Sequence, residues 1–180
     1  MVNKAIKFTY LLFTIGILLT SFSLLNYLDC DSKPDLNDIG RNPKSPSCLQ
    51  MYSSIEKYSK KYNVPKYVAY NVAFLETGYR GPFHWGYHPS HISSAGAVGP
   101  MQIITKYSHK FAGKHVSPNE LMNNIDLNVM VSMKMLRVWY NKYQTWDLAC
   151  GGYNTGRPTI NSYAIFCSSN MDYKKNWVSY

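Results

Sequence analysis

The spacing of apolar positions changes repeatedly along this chain, and each change predicts an element. From Phe8 to Leu28 the residues are apolar or small and polar, without a charge. Such a run is close to the ~20 residues that cross the hydrocarbon core of a bilayer. Asp31 to Ser47 then loses all periodicity and carries Pro34, Gly40, Pro43 and Pro46, the pattern of a linker. From Cys48 the pattern turns helical. Tyr52, Ile55, Tyr58 or Ser59, and Tyr62 recur on one face, with Lys57, Lys60 and Lys61 on the other. Asn63-Val64-Pro65 breaks this helix, and Pro65 suits the start of the next. That next helix, Lys66 to Thr77, is apolar nearly all round and so predicted to be central and buried, with Gly78 as its stop.

Tyr79 to Gly99 is a glycine- and proline-containing loop without periodicity, with a short extended piece around Ala95–Val98. Met101 to Gly113 reads as a helix, and Ser117-Pro118-Asn119-Glu120 as a helix start. Ile125, Val129, Ser132/Met133, Leu136, Trp139/Tyr140 and Tyr143 form one stripe along a long helix, Ile125 to Tyr143. Thr145 caps a further helix that runs into Gly151-Gly152-Tyr153-Asn154-Thr155-Gly156, and the tail to Tyr180 has no clear period. The expected fold class is therefore all-α. The domains expected are a transmembrane segment over 1–28, a linker over 29–47 outside the cytoplasm, and one folded domain over 48–180.

Charge fixes the direction of the apolar segment. Lys4 and Lys7 precede it and Asp29 and Asp31 follow, which places the N-terminus in the cytoplasm and the domain beyond the membrane. An uncleaved anchor is expected, because Leu24, Leu25, Tyr27 and Leu28 prolong the run past Ser21-Phe22-Ser23; cleavage there is the alternative. Asp29 makes Cys30 a poor lipidation site. In an exported domain the four cysteines permit disulfides, and the local pairings expected are Cys150–Cys167 and Cys30–Cys48, against reduced buried thiols. Their spacing matches no zinc site, and that of His84, His88 and His91 fits no standard metal site, so no metal or organic cofactor is expected.

The formal charge of +9 favours an acidic partner. The lysines are dispersed and no nucleic-acid motif appears, so nucleic acid is not expected, and an anionic membrane or cell-wall polymer fits better. Sixteen tyrosines and four tryptophans suit wet surfaces that stack on sugars, or equally a tyrosine-filled core. Phe83, Trp85 and Tyr87 are the sugar-platform candidates, with loop packing as the alternative.

Among the acids beyond the linker, Glu56 sits on a lysine-rich face, and Glu120, Asp126 and Asp147 fall at helix starts, where the helix dipole favours them. Asp172 carries no pattern. Glu76 differs. It stands near a helix C-terminus, where the dipole opposes it, among apolar neighbours. Both effects raise a carboxyl pKa and favour an acid that is protonated near neutrality. No second carboxylate lies between Glu76 and Glu120, so an ordinary two-carboxylate glycosidase pair is not evident.

Three motifs then carry a resemblance. Glu76-Thr77, Ser94-Ala95-Gly96-Ala97-Val98-Gly99-Pro100-Met101-Gln102-Ile103 and Gly152-Tyr153-Asn154-Thr155-Gly156 resemble, in order and spacing, those of the soluble lytic transglycosylase family. The resemblance runs from about Cys48 to the C-terminus and includes Asn124-Ile125-Asp126-Leu127-Asn128. It implies a lysozyme-like fold, all-α or at most α+β. It also implies an enzyme acting on peptidoglycan glycan strands, similar to the small transglycosylases of secretion and conjugation systems or phage entry.

By that resemblance Glu76 is the acid that protonates the bond between N-acetylmuramic acid and N-acetylglucosamine. It then acts as the base that closes a 1,6-anhydro ring with the muramyl 6-hydroxyl, so the substrate supplies its own nucleophile. Thr77 would orient the acid, Gly99, Met101 and Gln102 would line the cleft, and Tyr153 and Asn154 would face Glu76. Two departures stand out: Thr77 where the family has Ser, and Cys150-Gly151-Gly152 where it has small alanines. The alternatives are a hydrolytic goose-type-like lysozyme and an idle wall-binding or assembly subunit. The expected location is the cytoplasmic membrane with the domain outside it, with export after cleavage or carriage in a virion as alternatives. Possible assemblies are a cell-envelope-spanning or phage-entry complex.

Overall fold

The computed structural model of the protein describes residues 35–179. The apolar segment, its cleavage point and Cys30 lie outside the described residues. Among the described residues no helix is long and apolar enough to cross a membrane.

From Leu36 onward the chain clusters as one compact unit of eight α-helices and one two-stranded sheet. The helices are α1 (Leu36–Gly40), α2 (Ser47–Lys61), α3 (Lys66–Thr77), α4 (Thr105–Ala112), α5 (Pro118–Asn123), α6 (Ile125–Tyr143), α7 (Trp146–Thr155) and α8 (Ser162–Ser168). The strands β1 (Ala97–Val98) and β2 (Ile103–Ile104) lie between α3 and α4. This agrees with a mostly helical, lysozyme-like layout.

α3 is the centre. Val68, Ala69, Tyr70, Asn71, Val72 and Ala73 are all buried, as its all-round apolarity predicts. It ends at Gly78, whose left-handed φ of 67° turns the chain and whose N–H bonds back to the last turn. α6 is the second core helix, capped by the Asn124 side chain accepting from the Leu127 N–H. It buries Val129, Val131, Met133 and Leu136. Asp126 in its first turn also accepts from Ser54, Lys57 and Tyr58. One carboxylate at a favourable helix end thus ties α6 to α2. α5 starts as expected, with the Ser117 hydroxyl accepting from the Glu120 N–H and Pro118 inside the first turn.

Three expectations are corrected, and one disulfide pairing is found as expected. The stretch expected to be a linker is partly built into the fold: α1 packs on α2, and the Ser53 hydroxyl donates to the Asn37 carbonyl at 2.7 Å. The helix expected from Met101 begins only at Thr105. The β-branched pair Ile103-Ile104 instead joins β1, in antiparallel register Ala97↔Ile104 and Val98↔Ile103. Of the expected disulfides Cys150–Cys167 is formed, while Cys48 is a fully buried thiol whose expected partner, Cys30, lies outside the described residues. Thr145 precedes α7 as expected, but its side chain makes no capping bond to a backbone N–H.

The tail is structured too. Trp177 packs edge-on to Tyr52 and Tyr70, Tyr173 stacks on Tyr70 at 4.8 Å, and the Val178 N–H bonds to the Arg80 carbonyl. Much of the tyrosine content is therefore core filling behind α3.

Candidate active site

Glu76 is the penultimate residue of α3 and is partly buried. Its Oε1 accepts a 2.5 Å hydrogen bond from the hydroxyl of Tyr163 on α8. Burial raises its pKa to about 7, and the Tyr163 bond, which favours the charged form, pulls the other way. No other charged group contributes to that shift. Tyr163 and Tyr153 are themselves pushed well above the ordinary tyrosine value by burial and by the charge of Glu76. The acid is thus flanked by two phenols that stay neutral.

The remaining carboxylates are engaged elsewhere: Glu56 with Lys66 and Tyr70, Glu120 with Lys114, and Asp126 with Lys57. Asp147 bonds to the Leu148 N–H, and Asp172 accepts from the Lys174 N–H. The solitary character of Glu76, read from the sequence, holds in three dimensions among the described residues.

The loop residues meet the acid through a turn. Gly99 to Gln102 join β1 to β2, and three helices grip this turn. From α3, the Thr77 hydroxyl donates to the Pro100 carbonyl at 2.7 Å and takes a 2.8 Å bond from Tyr87. From α6, the buried Asn128 amide donates to the Val98 and Leu121 carbonyls and accepts from the Met101 N–H. From α7, the Tyr153 hydroxyl donates to the Met101 carbonyl at 2.6 Å and accepts from Ser132. Gly99 is needed for this grip: its φ is 78°, and a Cβ there would collide with the Asn128 amide and the Leu121 carbonyl.

Several predicted side chains are therefore placed differently from expectation. Thr77 holds the turn and makes no bond to Glu76. Met101 is fully buried, so its side chain does not line a cleft. Gln102, at φ 50°, folds its amide onto the carbonyls of Gly99 and His91. Tyr153 braces Met101 instead of bonding the acid, and Asn154 is exposed and accepts from Asn161. Tyr87 is buried, while Trp85 is 58% exposed beside Phe83, so the platform candidates divide. The described residues hold no cluster of histidine, cysteine and acidic groups that could bind a metal.

A concavity of about 640 Å³ lies between α1, α2 and the start of α6, and another of about 380 Å³ beside Glu56 and Pro65. Glu76 lines neither. They offer volume, but the carboxylates that line them, Asp126 and Glu56, are already paired with Lys57 and Lys66, which leaves Glu76 as the candidate acid.

The family model described as the transglycosylase SLT domain matches residues 53–168, more than half of the chain. The chain belongs to that family. No curated protein matches it. Within this SLT domain the matched span contains all three motifs, and it contains Tyr163, which the sequence reading missed. One signal was available. If Cys150 pairs with Cys167, Tyr163, a helical turn ahead of Cys167, is brought to the level of Tyr153, a turn after Cys150. Family membership supports lytic transglycosylase-type activity with peptidoglycan as substrate. α7 continues through Gly151 and Gly152, and close packing accounts for the glycines: a Cβ at either would strike the Thr159 backbone or the Trp139 ring.

Proposed function

We propose that this SLT domain cleaves the β-1,4 bond between N-acetylmuramic acid and N-acetylglucosamine without water, forming a 1,6-anhydromuramyl end. The observation that carries the proposal is a lone carboxyl with a pKa near 7, touched by a single neutral phenol. Protonated Glu76 donates to the glycosidic oxygen, and the N-acetylglucosamine part leaves with that proton as its 4-hydroxyl. The resulting carboxylate removes the proton of the muramyl 6-hydroxyl, whose oxygen closes on the anomeric carbon. One group, with a pKa close to the working pH, serves both steps. The Tyr163 bond steadies the carboxylate between them.

The test is mass spectrometry of muropeptides released from purified peptidoglycan. Products lighter by one water than the corresponding reducing-end muropeptides are expected. Reducing-end muramic acid as the main product would instead make the domain a hydrolytic lysozyme. Glu76→Gln should abolish clearing in a zymogram, whereas equal clearing would remove Glu76 from the mechanism. No clearing by either form would favour a wall-binding or assembly role.

We further place the domain outside the cytoplasmic membrane, held by Phe8–Leu28 and available to an envelope-spanning or phage-entry complex. The charge asymmetry around that segment and the Cys150–Cys167 disulfide support an oxidising compartment. Fractionation of cells producing the full chain, with protease accessibility of the domain, tests this placement.

A further inference from the structure

The disulfide stands one helical turn from each tyrosine of the site. Cys150 precedes Tyr153 by one turn on α7, and Cys167 follows Tyr163 by one turn on α8. Both cysteines are fully buried, and their Cα atoms are 6.1 Å apart. α8 has only seven residues, too few to hold a helix alone. Its position therefore depends on its attachments. At its C-terminal end the Asn71 amide reaches the carbonyls of Phe166, Cys167 and Ser169 at 3.1–3.2 Å, and Phe166 stacks on Phe74. Toward α7, the disulfide is the covalent attachment.

We propose that closing Cys150–Cys167 is the step that seats α8, and with it Tyr163, against Glu76, so that the acid/base site is completed only after the chain is oxidised. The inference rests on the reading of Glu76 as the acid. Chemically, the two thiols lose two electrons and two protons to a disulfide oxidant, either a thiol-oxidising protein or glutathione disulfide, which is reduced to its dithiol or to two thiols. A chain still in a reducing compartment would carry the acid without its partner. Cys150 and Cys167 are positioning residues, since neither approaches Glu76 within hydrogen-bond reach.

The titratable groups facing Glu76 are Tyr163 from α8 and Tyr153 from α7, both neutral across the working range. The alkaline limb of the activity profile therefore reports Glu76 itself. In Tyr163→Phe the cover remains and only the hydrogen bond is lost, which moves the limb to higher pH. If α8 lifts, water reaches the carboxyl, and burial is the larger cause of its raised pKa. The limb then moves to lower pH.

The experiment compares the oxidised full chain with Cys150→Ala/Cys167→Ala and with wild type reduced by dithiothreitol and alkylated. Turnover of peptidoglycan is measured from pH 4 to 9, below each form's melting temperature as read by circular dichroism. A fall in kcat of at least ~10-fold, with a limb displaced by more than about half a pH unit, is expected. Displacement to lower pH means α8 lifts, and displacement to higher pH, as in Tyr163→Phe, means the hydroxyl alone is lost; either supports the seating. Reoxidation of reduced, unalkylated enzyme by glutathione disulfide should restore both properties. Unchanged turnover, or lower turnover with an unmoved limb, overturns the inference. Oxidised Glu76→Gln separates the two readings. If it stays active the acid assignment fails, and if it is dead while the cysteine variant keeps the wild-type limb, only the seating fails.

Discussion

Replacing Glu76 by Gln should stabilise this protein, and should do so only at higher pH. The carboxyl titrates at about 7 in the fold against an ordinary value of 4.5. Between those values the folded state binds more protons than the unfolded chain, so stability falls as pH rises from 4.5 to 7. Above 7 the full penalty for holding a charge there is present; below 4.5 it vanishes. The difference of 2.5, from 7 − 4.5, corresponds to about 3 kcal/mol at ~1.4 kcal/mol per unit. Because Glu76 is only partly buried, that figure is an upper bound. Glutamine keeps an oxygen for the Tyr163 hydroxyl and carries no charge. Urea unfolding of wild type and Glu76→Gln at pH 5 and pH 8 measures the effect. The variant should gain roughly 2–3 kcal/mol at pH 8 and about 0.8 kcal/mol or less at pH 5. An equal gain at both pH values, or a loss at pH 8, would show that burial does not set this group's pKa.

Other variants address the scaffold. Tyr163→Phe should move the alkaline limb of kcat/KM upward by about 1 pH unit, the low end for a bond to a charged group; profiles in matched buffers read this. Asn128→Ala leaves the Met101 N–H and the Val98 and Leu121 carbonyls without a partner, and should destabilise by about 3 kcal/mol or more in urea titration. Thr77→Val deletes the bond to Pro100 and should reduce turnover more than it lowers the melting temperature, because it frees the turn beside the acid. Gly151→Ala should lower the melting temperature by several degrees, since the new methyl meets the Thr159 backbone, which cannot swing aside as a side chain does.

The helical frame was legible because its signals are local. The apolar faces of α2 and α6, the all-round apolarity of α3, and the stops at Pro65 and Gly78 each follow from spacing or backbone chemistry. β2 was not legible. Ile103-Ile104 is two residues long, too short to show a period, and becomes a strand only because Ala97-Val98 is placed opposite. Glu76 was legible as an acid without local compensation. The roles of its companions were not, because they depend on contacts across long separations. Thr77 and Tyr153 looked like ligands of the acid, yet their hydroxyls go to the carbonyls of Pro100 and Met101, which no pattern of residue types reveals. α1 escaped notice because Pro34, Gly40 and Pro43 signal a break, and its helix is too short to show a stripe.

The three-sided grip on Gly99–Gln102 divides the chain between α3 and α4 into two regions with different freedom to vary. The turn itself admits neither insertion nor drift, since each of its carbonyls at Pro100 and Met101 is claimed by a different helix. The arc before it, with Trp85 and Ile92 more than half exposed, has no such anchors at those side chains. Side-chain change at Trp85 and Ile92 can therefore be made without breaking a bond of the turn. Altered substrate preference is to be sought by varying Trp85 and Ile92, while Thr77, Tyr87, Gly99, Asn128 and Tyr153 are kept together as one unit.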